Sequence, residues 1–420
     1  MIKKISISIG LCMSSFFCFA QDMDYTRTLV EKLSSKEFHG RGYVNKGDSV
    51  AAAYLSKEMK SIKLKGFTDN YYQPYSISVN TFAKNTKLSF DGKELKPASE
   101  YVVNPDVRTG KGEAKITWIT KDIFKNTYAL STFMKKDHSN SFLAIDSTGL
   151  NNPELYDFAQ VMMKKNVFDA KGMVLINGKL KYSAKNKLVD FTTILVKTGA
   201  IDSKAKTIQY DIKSEFIEDY KTQNLLGYLP GKTDTCILFT AHYDHLGYFG
   251  ENMYPGANDN ASGVAMVLNL AKYFKAKKKK PHYTLVFALF SAEEVGLLGS
   301  KHYVENPLFP LEQTKMVLNF DMVATGEKGI YVINGQMVPD EMKKFQAINK
   351  EKEYVFNMFG TPESSSSDHA PFHDKGVKAV FFYTHGDNAD YHETTDTADR
   401  LSYKQFEGIF KLVRDYVEMK

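Results

Sequence analysis

Five side chains able to bind a divalent cation, His242, Asp259, Glu294, Asp321 and His392, each stand where an apolar, strand-like run gives way to a turn. In open α/β sheets, ligands gather outside the carboxyl ends of the strands, so residues far apart in sequence can meet in one crevice. The motif Phe239-Thr240-Ala241-His242-Tyr243-Asp244-His245-Leu246-Gly247 ends a strand at His242, and alternation puts Asp244 on the same side two residues later. A metal-bound imidazole commonly gives its other N–H to a carboxylate, which fixes the tautomer, and Asp244 is the natural partner. Taken alone, a His-x-Asp pair is more often a surface turn than a ligand. The small-residue loop Gly256-Ala257-Asn258-Asp259-Asn260-Ala261-Ser262-Gly263 opens a helix, where Asp259 could be an N-cap. The cap leaves the surrounding glycine and asparagine unexplained, whereas close backbone approach to a charged centre accounts for both.

Ser291-Ala292-Glu293-Glu294-Val295-Gly296 follows the most apolar strand in the chain. Adjacent carboxylates at a buried strand end repel each other and resist ionising. A dication removes that penalty, and one acid can then bind it while the other takes a proton from water. Asn319-Phe320-Asp321-Met322 repeats the scheme at another strand end, and Tyr391-His392-Glu393-Thr394-Thr395-Asp396-Thr397 supplies the last imidazole.

Positioning such a set requires long parallel strands. From Asn224 onward, apolar runs alternate with helical patterns: Leu225 to Leu229, Cys236 to Ala241, Tyr283 to Phe290, Met316 to Phe320, Gly329 to Ile333 and Val377 to Tyr383 read as strands. A helix follows Asp259 through Val264, Val267, Leu268, Ala271 and Phe274. A last helix is expected from Ser402, with Gln405 completing a capping box. Two amphipathic helices, around Tyr25 to Leu33 and Val50 to Ile62, open the chain after residue 20. The turn Phe38-His39-Gly40-Arg41-Gly42 lies between them, with Arg41 expected to pair with an acid. Between Thr81 and Lys213 the texture changes to short strands and turns, and only Pro153 to Lys165 reads clearly as a helix. The expected fold is α/β: a mixed, mostly parallel sheet covered by helices on both faces, with an inserted β-rich domain at 81–213 dividing the catalytic part into 21–80 and 214–420.

At 420 residues the chain can bury a large core, and its apolar and charged fractions are ordinary for a globular protein. Residues 1–20 pair Lys3 and Lys4 with an apolar stretch and a small-residue end at Cys18 and Ala20, the pattern of an export signal. Removing them takes away two lysines and no acid and lowers the net charge from +6 to +4, too little to imply a nucleic-acid partner. The basic run Lys277 to Lys280 reads as a solvated turn before Pro281. Beyond residue 20 only Cys236 remains, so no internal disulfide is available, and no later apolar stretch is long enough to span a bilayer. The expected location is the periplasm or the medium.

The ordered set His-x-Asp, Asp, Glu-Glu, Asp, His resembles metallopeptidase family 28, the co-catalytic zinc peptidases that include bacterial leucyl-type aminopeptidases, with glutamyl carboxypeptidases and glutaminyl cyclases as relatives. The resemblance runs in order from about Asn224 to Lys420 and more loosely from Met23 to Tyr75. Residues 81–213 stand where many members carry a protease-associated insert. It implies that Asp259 bridges two zinc ions, with His242 and Asp321 on one and Glu294 and His392 on the other. It further implies that Glu293 is the general base, that Asp244 stands behind His242, and that the Asp259–Asn260 peptide is cis. Cobalt or manganese would also suit these donors. Asp368 and His369, in Ser367-Asp368-His369-Ala370-Pro371-Phe372, are expected beside the substrate pocket or at a helix cap. Tyr383, His385 and Tyr391 are expected to line the pocket or pack around it.

The implied activity is aminopeptidase action on peptides through a water activated by two metals. A carboxypeptidase on the same scaffold would want arginine near the site for a carboxylate terminus, a place lysine could also fill, and of the five arginines only Arg400 is close to a metal motif in sequence; a dipeptidase is a further alternative. A glutaminyl cyclase would carry an extra acid where Ser367 stands. A non-catalytic binding protein would have lost ligands or Glu293, and none is missing.

Overall fold

The apolar runs after residue 224 become the centre of a buried sheet. In the computed structural model of the chain, four parallel strands lie side by side in the order Thr284–Phe290, Cys236–His242, Thr314–Phe320 and Ala379–His385. Antiparallel strands flank them, Glu215–Leu229 on one side and Gly329–Ile333 on the other, giving nine strands with the shorter edges. The structure describes residues 21–419 apart from 121, 124–125, 149–156, 158–160, 162–163 and 387–388. The expected export signal and most of the expected helix at Pro153–Lys165 lie outside those residues.

Alternation decides which side chain goes to which face. Ile237, Phe239, Ala241, Leu285, Phe287 and Leu289 pack in one core with the helices Met23–Leu33, Gly47–Ser61, Gly263–Ala276, Pro339–Lys352 and Phe406–Glu418. Cys236, Leu238, Val286, Ala288 and Phe290 turn to the other face, where Tyr303, Val304 and Phe372 come from the helices Leu298–Glu305 and His369–Asp374. With both faces covered, these strands need no polar alternation, which is why they read as unbroken apolar runs. Each such large side chain contributes roughly 1.5–3 kcal/mol by leaving water, so the strand ends are held on a stiff frame.

A second, eight-stranded sheet is built from residues 87–212. Its centre, Gly110–Trp118, Ser141–Asp146, Gly172–Asn177 and Thr192–Lys197, is again parallel. The long pair Tyr72–Thr81 with Glu215–Leu229 leads into and out of it. One face of this sheet, with Phe142, Val174 and Ile176, shares a core with Leu246, Phe249, Tyr254, Ala292 and Val295, so it docks beside the carboxyl ends of the parallel strands. The fold is therefore α/β with two mixed sheets.

Two local expectations need correction. A helix forms at Thr127–Met134, capped by Asn126, in a segment read as strands and turns; at eight residues it is too short to show a periodic stripe, and only Phe133 is buried. The last helix begins at Phe406, not Ser402, because Tyr403 takes a left-handed φ of 53° and the backbone N–H groups of Tyr403 and Gln405 donate to Ala324 and Thr325. Gln405 makes no side-chain cap bond. Among the described residues, no helix is long and apolar enough to cross a membrane.

Candidate metal centre

Parallel strands share one direction, so their carboxyl ends lie at one edge, and the chemically able residues stand there. His242 closes one strand, Glu293 and Glu294 follow the next, and Asp321 follows the third. Asp259 arrives on the loop before the helix Gly263–Ala276, and His392 on the loop after Ala379–His385. Nε2 of His242 lies 3.3 Å from Asp259 Oδ1 and 3.4 Å from Asp321 Oδ1. Nε2 of His392 lies 3.3 Å from Asp259 Oδ2 and 3.1 Å from Glu294 Oε2. Each oxygen of Asp259 thus faces its own imidazole and its own second acid. Donors bound at about 2.0–2.1 Å to a tetrahedral zinc ion stand roughly 3.3 Å apart, so both donor sets have the spacing of ligands sharing one ion.

The electrostatics match that reading. Burial opposes charge on all of these groups, yet Asp321 and Glu293 raise the His242 imidazole, and Glu294 and Asp259 raise that of His392. Against the same burial, hydrogen bonds from His242 and His392 hold Asp259 well below the usual carboxylate range. Four clustered carboxylates in a buried place call for compensating positive charge, which bound cations would supply.

Asp259 is no helix cap, since both its oxygens face imidazoles. Its loop is held from three sides. The Asp396 carboxylate accepts the N–H groups of Asn258 and Asp259 at 2.9 and 3.0 Å. The Asn260 side chain donates to Phe320 O and accepts from Gly263 N, and the Asp259–Asn260 peptide is cis, as the resemblance implies. The third support is Arg41. Instead of pairing with an acid, its buried guanidinium donates to the carbonyls of Leu33, Tyr243, Pro255, Gly256 and Asp259. At Gly256, with φ of 61°, a Cβ would stand 2.1 Å from Asp259 O and 2.6 Å from Arg41 Nη2, so the loop's glycine makes room for this contact.

Asp244 stands behind His242 differently from expectation. Nδ1 of His242 donates to the backbone carbonyl of Asp244 at 3.1 Å, while the carboxylate is 3.8 Å away. That carboxylate accepts instead from the Tyr43 hydroxyl at 2.9 Å and from Glu293 N–H at 3.1 Å, fixing the turn that presents Glu293. Burial pushes Asp244 up to about 7. Glu293 is raised above the usual range by the same cause, with His242 acting against it.

A cavity of about 380 Å³ opens on the centre and is lined by His242, Asp259, Glu293, Asp321 and His392 together with Met322, Ile333, Phe381, Tyr383 and Tyr391. Asp368 and His369 do not line it. The Asp368 carboxylate is buried on the Ser300 hydroxyl, and His369 Nε2 meets Ser364 O at 2.8 Å with its ring against Phe381. Asp368 occupies the cap position of the helix His369–Asp374 without making a cap bond. His385 packs on Tyr331 rather than entering the cavity.

Three contributions escaped the sequence. His245 places Nδ1 2.7 Å from Glu294 Oε1 and 3.9 Å from Asp259 Oδ2, close enough to hold Glu294 or to join its metal set. Its position directly after Asp244, three residues on from His242 in the same motif, is the available signal. Ser367 donates to Asp321 Oδ2 at 2.8 Å and accepts from Asn319. The second sheet reaches the site as well: the Tyr182 carbonyl accepts from His392 Nδ1 at 2.7 Å, and Lys179 and Lys181 line the cavity.

Residues 224–417 match the profile of Peptidase family M28. The chain is similar to Aminopeptidase YwaD of Bacillus subtilis, 28% identical over 225 residues that cover 50% of this chain and 48% of that protein. It is also similar to Leupeptin-inactivating enzyme 1 of Streptomyces exfoliatus, 32% identical over 42% of this chain and 38% of the relative. The chain thus spans less than half the length of these curated relatives. Among solved structures, BSAP, a zinc aminopeptidase from Bacillus subtilis, superposes with a TM-score of 0.71 at 20% identity, covering 95% of both chains. That likeness shows the fold.

Proposed function

From the match of residues 224–417 to the profile of Peptidase family M28, we propose that the protein is a zinc aminopeptidase that hydrolyses N-terminal peptide bonds with Glu293 as general base. The observation that carries the reading is the split of Asp259, one oxygen toward His242 and the other toward His392. His242, Asp259 and Asp321 would hold one cation, and His392, Asp259 and Glu294 the other. Bound there, two divalent cations would polarise the scissile carbonyl and stabilise charge that develops on it.

The remaining steps fall to the chain's own groups. Glu293 borders the cavity beside both donor sets, free of the imidazole contacts that occupy Glu294. It accepts the proton of the attacking water and returns it to the leaving amine. Asp244 keeps Glu293 in place through the backbone N–H, and Tyr43 keeps Asp244. Met322, Ile333, Phe381 and Tyr383 supply an apolar surface for a substrate side chain.

Residues 1–20 serve in this reading as an export leader, which places the enzyme in the periplasm or the medium. Residues 81–213 form an insert within a catalytic part made of 21–80 and 214–420. A fluorogenic panel of amino-acid amides, run on zinc-loaded protein with and without chelator, tests the activity. Release of N-terminal residues that chelator abolishes is expected. Ring closure of N-terminal glutamine without peptide cleavage, or peptide binding without turnover, would replace this reading.

A further inference from the structure

Lys179 and Lys181 line the same cavity as His242, Glu293 and His392, although they belong to the segment after strand Gly172–Asn177 of the second sheet. The two exposed lysines alternate with Leu180 and Tyr182, which are buried at 2% and 3% exposure. That segment is anchored to the centre: the Tyr182 carbonyl accepts from His392 Nδ1, and the Tyr182 ring stacks on Tyr254 at 5.0 Å. Lys181 Nζ lies 5.5 Å from the Tyr391 ring.

The floor acids Asp259 and Glu294 are engaged by imidazoles, as is Asp321 by His242. Burial raises Glu393, with Lys197, the Leu180 backbone N–H and Lys179 acting against it. Two ammonium groups beside the cavity repel a protonated amine and attract an anion. The protonated end of a peptide would therefore sit away from them, and a carboxylate would sit near them. At about 380 Å³ the cavity is near the lower end of ligand-binding sites, which favours a short substrate.

We propose that Lys179 and Lys181 bind a carboxylate of the substrate, making peptides of two or three residues with a free C-terminus the preferred class. The inference rests on the peptidase reading of the centre. The same chemistry could be met by an aspartyl or glutamyl side chain, and the test separates the two sources.

Leucyl-leucine, leucyl-leucine amide and leucyl-aspartyl-leucine amide are compared on the zinc-loaded full chain by kinetics, and on Glu293→Gln by calorimetric binding. Wild type should prefer the free dipeptide to its amide by about 10-fold in kcat/KM, mostly through KM, the effect of two exposed ion pairs. Rising salt should shrink the preference, and in Lys179→Met/Lys181→Met it should fall to about one. A preference that tracks the aspartyl side chain instead of the terminus would keep the lysine contact and reassign its source. Equal handling of all three substrates by wild type, or a preference unchanged in the double variant, overturns the proposal. Lysine-dependent binding of the dipeptide without cleavage would sink the peptidase reading and leave this one standing.

Discussion

Nη2 of Arg41 donates to the backbone carbonyl of Asp259 at 3.0 Å. A residue from the leading segment thereby holds the peptide unit whose side chain faces both imidazoles. The same guanidinium satisfies four further carbonyls in a place without solvent. Removing it leaves buried acceptors unpaired, each costing about 1–3 kcal/mol.

Arg41→Met should therefore destabilise the protein by about 4 kcal/mol or more and lower its zinc content, read by urea unfolding and metal analysis. Arg41→Lys should not rescue it, because three donors on a point charge cannot reproduce a planar fork of five. Wild-type zinc content in either variant would show that the loop holds itself.

Ser367→Ala removes the hydroxyl that donates to Asp321 Oδ2 and accepts from Asn319. Groups that orient ligands typically change metal affinity by about 10- to 100-fold. Competition with a chromogenic chelator should show a loss in that range for one ion of the pair, with unfolding stability lowered by only about 1–2 kcal/mol. An unchanged affinity for both ions would make Ser367 a packing residue.

His369 supplies a pH dependence with a defined sign. Burial pushes its imidazole down to about 4 from 6.5. Between those values the unfolded chain binds the proton and the folded chain does not, so stability is complete above pH 6.5 and falls as pH drops toward 4. The full loss is about 3 kcal/mol. Metal-free wild type compared with His369→Phe, by urea unfolding at pH 7 and pH 4.5, should show the variant gaining on wild type at the lower pH. A difference that does not change with pH would mean that His369 titrates normally.

The parts of the site that sequence shows are those set by periodicity and local ends. His242, Glu294 and Asp321 end or follow apolar runs whose common direction carries them to one edge, and Asp259 and His392 arrive there on loops. What sequence hides are partners chosen by packing. Arg41 was expected to find an acid, but a buried guanidinium can be satisfied by carbonyls, and carbonyls leave no trace in residue types. Lys179, Lys181 and Tyr182 reach the centre only because the second sheet docks on Phe249 and Tyr254, a long-range contact that no local pattern encodes. Asp244 was placed on the correct side of the strand, yet its carboxylate went to Tyr43 and Glu293 N–H while its backbone took the His242 bond. Alternation fixes a face and leaves open which atom is used.

The central claim is that one carboxylate of the Glu293-Glu294 pair moves protons while the other holds metal. Glu293→Gln keeps the size of the side chain and removes the base, so metal analysis and aminopeptidase assay on that variant separate the two roles. The expected result is a zinc content equal to that of wild type and a rate at least about 100-fold lower. Lost zinc with Glu293→Gln, or a rate close to wild type, would contradict it.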